Sequence, residues 1–175
     1  MTENENEQHF SSDLPAVERL EYERLHKDYR WVMMIRRAIS LAVTFVILLI
    51  GSFILVSQGY PEYILPLFGV FALIIIFRIG MTFVAYPRKG FALRTKDVIY
   101  REGVFYYRWV ALPYDRIQHA EVHADLIERI FELSTLRIYT AGGSSSDLEI
   151  PGLKPDQALR MRAFVLKQAD IDEEE

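Results

Sequence analysis

Residues 38–56, AISLAVTFVILLIGSFILV, run without a single charge, and at 1.5 Å per residue a helix of this length covers about 28 Å, close to one hydrocarbon core. Ser57-Gln58-Gly59-Tyr60-Pro61-Glu62 then makes a six-residue break, and a second apolar run, residues 63–85, holds Arg78 as its one charge. Two runs of that length joined by so short a turn predict a transmembrane helical hairpin. Across 175 residues, 51% are hydrophobic and the mean hydropathy is +0.08, which leaves room beside the hairpin for one soluble domain.

Arg30, Arg36 and Arg37 precede the first run, Arg88 and Lys89 follow the second, and the turn between them has no base. The positive-inside bias therefore predicts both termini on the cytoplasmic side. Tyr60 and Tyr63 at one boundary, with Trp31 and Tyr86 at the other, suit an interfacial aromatic belt. Arg78 lies about two turns from the basic end, within reach of the headgroups for a long side chain, so it reads as a snorkelling residue rather than a conduction path. Pro66 and Gly69 are tolerated in membrane helices and receive no role. The N-terminus shows no basic start, short apolar run and small-residue cleavage site, so no removed signal peptide is expected.

The first 30 residues carry eight acids and four bases, and the last six carry five acids and no base. Residues 1–12 and 170–175 are accordingly expected to be solvated acidic tails, the first disordered. Between the first tail and the hairpin, Tyr22, Leu25, Tyr29 and Val32 recur at helical spacing, which predicts an amphipathic juxtamembrane helix over residues 13–37. The net charge of −4 and the absence of cysteine exclude disulfides and thiolate chemistry and give no basic excess for nucleic acid.

After Pro87 the pattern changes to short β-rich segments over residues 90–169. Strands are expected at 91–94, 98–101, 105–112, 116–123, 136–140 and 147–150, separated by turn signals such as Glu102-Gly103 and the Gly-Ser run 142–146. Residues 125–133, DLIERIFEL, interrupt the series as a short helix whose Leu126, Ile127, Ile130 and Phe131 plug one end of the sheet. A final helix over residues 155–168 begins at Pro155, places Asp156 on the N-terminal dipole and carries Ala158, Met161 and Val165 as an apolar stripe. The pattern predicts an α+β class, with antiparallel strands covered by one C-terminal helix.

Three ordered motifs in this region, Pro113-Tyr114-Asp115-Arg116-Ile117-Gln118-His119, then Leu126-Ile127-Glu128-Arg129-Ile130-Phe131 with Leu136-Arg137-Ile138-Tyr139-Thr140-Ala141-Gly142-Gly143, and Leu148-Glu149-Ile150-Pro151-Gly152-Leu153, closely resemble the YdbS-like bacterial pleckstrin-homology (PH) membrane proteins. Two membrane spans before the domain match as well, and the resemblance covers residues 20–168. It implies a PH-like antiparallel β-barrel or sandwich with a C-terminal capping helix, tethered as a multi-pass protein to the bacterial cytoplasmic membrane. Ala124-Asp125 and Lys154 depart from the family's usual Gly-Pro and Asp, affecting a turn and a cap.

His119, Glu121 and His123 alternate along one expected strand, a spacing able to present metal ligands, but a solvated strand face explains them without a metal, and no metal or other cofactor is expected. The Gly-Ser run from Thr140 offers unhindered N–H groups, yet lacks a phosphate-loop lysine and reads as a hairpin turn. No HExxH, GxSxG or comparable pattern occurs, so no enzymatic activity is expected. Arg116, Gln118, His119, Arg129, Thr140, Gly142 and Gly143, which belong to the motifs, are candidate interaction residues. Arg36, Arg37, Arg88, Lys89 and Arg94 form a candidate membrane-surface basic cluster, each base contributing about 1 kcal/mol near an anionic leaflet. The expected function is that of a membrane-tethered binding or scaffold module whose partners are the bilayer and a related PH-domain membrane protein or another copy, with a component of a membrane transporter or enzyme system as the alternative.

Overall fold

In the computed structural model, which describes residues 21–140 and 147–173, the first apolar run lies inside a longer helix, α1 (Tyr29–Ser57). A short 3₁₀ turn, Pro61–Tyr63, reverses the chain into α2 (Ile64–Ala85), with Pro66 in its first turn, where a missing N–H leaves no broken bond. The helices pack through Phe45, which stacks on Phe71 at 5.7 Å and meets Phe68 edge-on at 6.2 Å. Both segments are long and apolar enough to cross a membrane. Their outward faces are almost wholly apolar, with Phe53 76% and Leu65 83% exposed.

Among the described residues, seven strands form two antiparallel sheets. The first, in the order β1-β2-β3-β4, contains β1 (Glu23–Arg24), β2 (Gly90–Leu93), β3 (Asp97–Glu102) and β4 (Arg108–Pro113). The second contains β5 (Ile117–His123), β6 (Ser134–Thr140) and β7 (Leu148–Leu153), with the short helix α3 (Leu126–Ile130) between β5 and β6. The C-terminal helix α4 (Pro155–Glu173) follows β7. Phe91, Val98, Tyr100 and Leu112 of the first sheet share one core with Ile117, Leu136, Ile138, Leu148 and Ile150 of the second, and α4 closes it with Ala158, Met161, Val165 and Ala169.

Of the expected barrel or sandwich, a closed barrel is not formed: among the described residues no strand ladder joins the two sheets. On one side β4 ends at Pro113, which has no N–H to extend a ladder, and the chain passes to β5 through a 3₁₀ turn, Tyr114–Arg116. On the other, a single bond from the His26 N–H to the Gly152 carbonyl, at 2.9 Å, links the end of β1 to β7. The architecture is thus an open sandwich.

The segment expected as an amphipathic helix also differs. Residues 23–24 pair with Phe91 and Gly90 as a strand, and the helix starts only at Tyr29; residues 13–20 of that expectation, and the acidic segment 1–12, lie outside the described residues. Strand pairing satisfies backbone groups that an isolated first turn would leave open, while the apolar spacing survives because Leu25, Tyr29 and Val32 are all buried in the domain core. The expected strand 105–112 begins instead at Arg108, since Gly103 turns the chain at φ +133°, where an added Cβ would stand 1.8 Å from the Tyr106 carbonyl oxygen. At the other end of the chain, α4 continues through residues 170–173, part of the expected acidic tail.

Candidate functional site

The first two turns of α1 do not belong with its apolar length. Tyr29 and Val32 are 5% and 0% exposed, and Tyr29 rests against Gly152, whose φ of +68° and absent side chain make the seat; a Cβ there would lie 2.6 Å from the Tyr29 ring. The Ile150-Pro151-Gly152-Leu153 motif therefore has a packing role, assisted by an irregularity in the β6–β7 register at this point. Tyr86, just after α2, donates its hydroxyl to the Leu25 carbonyl at 2.9 Å, so both helices are fastened to the domain.

One turn further along α1, Arg36 reaches α3. Its guanidinium lies 2.7 Å from Asp125 and 3.2 Å from Glu128. These two acids form a reciprocal capping box, Asp125 accepting from the Glu128 N–H and Glu128 accepting from the Asp125 N–H, the arrangement that satisfies orphan donors at a helix start. Glu128 is 1% exposed and also accepts from the Thr135 hydroxyl at 2.8 Å. Burial raises the Asp125 pKa, but the Glu128 N–H and the Arg36 guanidinium outweigh it and hold the carboxyl below its ordinary value. The helix pays out two of its apolar residues to the surface: Leu126 and Ile130 are 78% and 74% exposed, against the expectation that they plug the sheet, whereas Ile127 and Phe131 pack on the core.

Between these α1 residues and the ends of the sheets lies a cleft of about 630 Å³. Arg36, Lys89, Arg108 and Arg137 line it together with Glu102, Asp125, Glu128, Asp147 and Glu149, and Tyr29 and Tyr100 contribute rings. Most of the charges answer one another. Lys89 pairs with Glu102, and Arg137 sits between its cross-strand neighbours, 3.0 Å from Glu149 and 3.9 Å from Glu121. Burial, followed by the Glu102 carboxylate, pushes the Tyr100 phenol well above its ordinary pKa, so it remains a neutral hydroxyl.

The candidate residues separate into several places. Of the basic cluster, Arg36 and Lys89 line the cleft in ion pairs, Arg94 pairs with Asp97 at 3.4 Å, and Arg37 donates to the Arg78 carbonyl. Arg88 has no ion pair among the described residues and is half-buried. Arg78 itself donates to the Ser40 hydroxyl at 3.1 Å, tying α2 to α1. Arg116, Gln118, His119 and Arg129 are exposed, and none lines the cleft. Thr140 donates both its N–H and its hydroxyl to Asp147, at 2.8 and 2.7 Å; Gly142 and Gly143 lie outside the described residues. In the His119, Glu121, His123 series, Glu121 accepts from the Tyr139 hydroxyl at 2.6 Å, and among the described residues no three potential ligands gather. Tyr114, in the first motif, is fully buried, donates to the Arg94 carbonyl at 3.0 Å, and meets Phe164 edge-on. Burial and then Asp97 push its pKa up to about 12.

Sequence reasoning did not single out Asp125, Glu128 or Glu102 as site residues. The capping-box spacing Asp125-x-x-Glu128 is a readable signal for the helix start, but nothing local announces a partner 89 residues earlier in the chain.

Residues 37–169 match the family described as Bacterial PH domain. The chain belongs to the bacterial PH domain family. Among solved structures, a DUF1696 family protein with a pleckstrin-homology domain from Shewanella loihica PV-4 is similar at 18% identity and a TM-score of 0.38, over 48% of this chain and 73% of that one. Comparison with curated proteins gives no match. Membership in the bacterial PH family, with its α+β order of helices before antiparallel sheets, points to a binding or scaffold module.

Proposed function

We propose that this chain is a membrane-tethered, non-catalytic binding module, in which two helices cross the cytoplasmic membrane and the PH domain, with both termini, lies on the cytoplasmic side. The observation that carries the reading is the continuity of α1, whose first turns are core of the domain and whose remainder is exposed and apolar. Such a helix hairpin leaves a large apolar surface in need of an apolar solvent, and its fixed docking makes the domain a presenter of surface at constant height. The absence of a base in the turn, against Arg36, Arg37, Arg88 and Lys89 at the other end, supports the cytoplasmic placement.

The surface suited to a protein partner is β4, the terminal strand of its sheet, on which only Leu112 is buried. An outer strand of this kind is open to pairing with another chain, a second copy or a related PH membrane protein. Photoreactive residues at Ala111 and Glu149, activated in intact membranes, test this. Discrete protein adducts at Ala111 are expected. Lipid adducts alone, or none at either position, would remove the partner-binding reading. An exterior signal from a reporter fused after residue 173 would reverse the orientation.

A further inference from the structure

The two hairpins of the first sheet point opposite ways along it and differ in chemistry. The β2–β3 turn, Arg94-Thr95-Lys96, is polar and exposed. The β3–β4 turn contains Phe105, Tyr106 and Tyr107, exposed by 71%, 89% and 61%, and Tyr107 stacks at 5.5 Å on Trp109, itself 44% exposed. Four large aromatics exposed in five residues are unusual for a water-facing turn; Trp109, in β4, pairs with Arg101 and Tyr107 stacks on it, yet all four rings remain exposed.

Strand register puts this turn at the end of the sheet where β2 begins. Gly90, two residues after the 3₁₀ turn that ends α2, pairs with Arg101, and Glu102 pairs with Arg108 at the foot of the turn. Glu102 and Arg108 share their cleft with Arg36, two residues before the uncharged run of α1 begins. Trp31, five residues before Arg36 on α1, is 45% exposed, with the Arg30 guanidinium 5.5 Å from its ring centre. An interfacial zone that reaches from the start of the apolar run to Trp31 includes Arg36, and residues 103–107 follow directly on the Glu102–Arg108 rung that shares a cleft with it.

The geometry points to the Phe105–Trp109 turn as a third membrane contact, which inserts its aromatic rings into the headgroup region of the bilayer that the two helices cross. The occupant is lipid because the turn is continuous with the end of the sheet from which α2 emerges, and because Tyr and Trp combine an apolar ring with a polar handle suited to that zone. Arg108 beside them adds a cation for lipid phosphate. Gly103 permits the tight reversal that lifts the rings clear of the strands. This inference rests on the membrane-crossing reading above.

The chain has no cysteine, so single labels can be placed on the full-length protein without removing native thiols. Tyr106→Cys, Lys96→Cys and Phe53→Cys, each carrying an environment-sensitive fluorophore, are compared in phosphatidylethanolamine–phosphatidylglycerol vesicles, with iodide as the aqueous quencher and a lipid spin-labelled near the headgroup as the interfacial one. At position 106, blue-shifted emission, strong quenching by the spin-labelled lipid and several-fold weaker iodide quenching than at position 96 are expected, with position 53 inaccessible to iodide. Iodide access at 106 equal to that at 96, while 53 stays shielded, would overturn the third contact and leave the helices in the membrane. Shielding of 106 from both quenchers would overturn it in favour of a protein cover. Iodide access at 53 would remove the membrane reading itself, and this inference with it.

Discussion

α1 contains two helices' worth of chemistry in one unbroken rod. Residues 29–36 give Tyr29 and Val32 to the domain core and Arg36 to the cap of α3, whereas residues from 38 onward expose Val43, Val46, Ile47 and Phe53. The same residue type, valine, is 0% exposed at position 32 and 54% exposed at position 46. The difference teaches that an apolar residue near a membrane-type run is not thereby a membrane residue; its partner decides, and here the partner of the first half is protein.

The comparison breaks most sharply under identical substitution. Val32→Asp buries an unpaired carboxylate in the core and is expected to destabilise the domain by more than about 4 kcal/mol, seen as loss of near-ultraviolet circular dichroism in detergent. Val46→Asp should leave that signal intact and instead cost about 2.5–3.5 kcal/mol of insertion, read as a smaller membrane-inserted fraction. Equal effects of the two on the domain signal would erase the distinction.

Gly152→Ala attacks the seat of the docked half. The left-handed backbone and the contact with Tyr29 together predict a loss of about 2–4 kcal/mol, and in denaturant titration Tyr29→Ala in the same chain should recover the part that comes from the clash. Arg36→Ala follows, with an expected loss of about 1–3 kcal/mol, because it leaves Glu128 buried with only its Thr135 and Asp125 hydrogen bonds. The half-exposed pair with Asp125 adds little to that figure.

Acid offers a gentler probe of the same junction. The Asp125 pKa is lower in the folded protein than its ordinary value near 3.8, so its contribution is present above that value and is lost as pH falls through the folded pKa. Melting temperature should decline below about pH 4, and the decline should be shallower in Arg36→Ala. Smallest of all, Arg160→Ala removes an exposed i,i+4 pair with Asp156 on α4 and is expected to change stability by less than about 0.5 kcal/mol.

How much of this was legible in the sequence follows the range of the interactions. The apolar runs, the Pro155 helix start and the stripe Ala158, Met161, Val165 are local patterns, and the structure places helices at the runs and buries the stripe. Tyr22, Leu25, Tyr29 and Val32 have helical spacing, but the pairing of residues 23–24 with β2, more than sixty residues away, overrides it for the first part. The run Phe105-Tyr106-Tyr107 has the composition of a strand and forms an exposed turn, since aromatic residues favour sheets only where a neighbouring strand or core receives them. The cleft was hidden for a simpler reason. Its ion pairs join Arg36 to α3 and Lys89 to β3, and a charge in a sequence does not name its distant counterion.

The grip of Arg36 on α3, with Tyr29 seated on Gly152, has a mechanical consequence. The uncharged length of α1, residues 38–56, is about 28 Å, close to a hydrocarbon core of about 30 Å, so on the membrane-crossing reading proposed above its tilt would follow the thickness of the bilayer. With its lower end clamped to the domain rather than hinged, any change of tilt would, on that reading, become an equal rotation of the sandwich, and β4 would take its compass heading from the lipid around the hairpin.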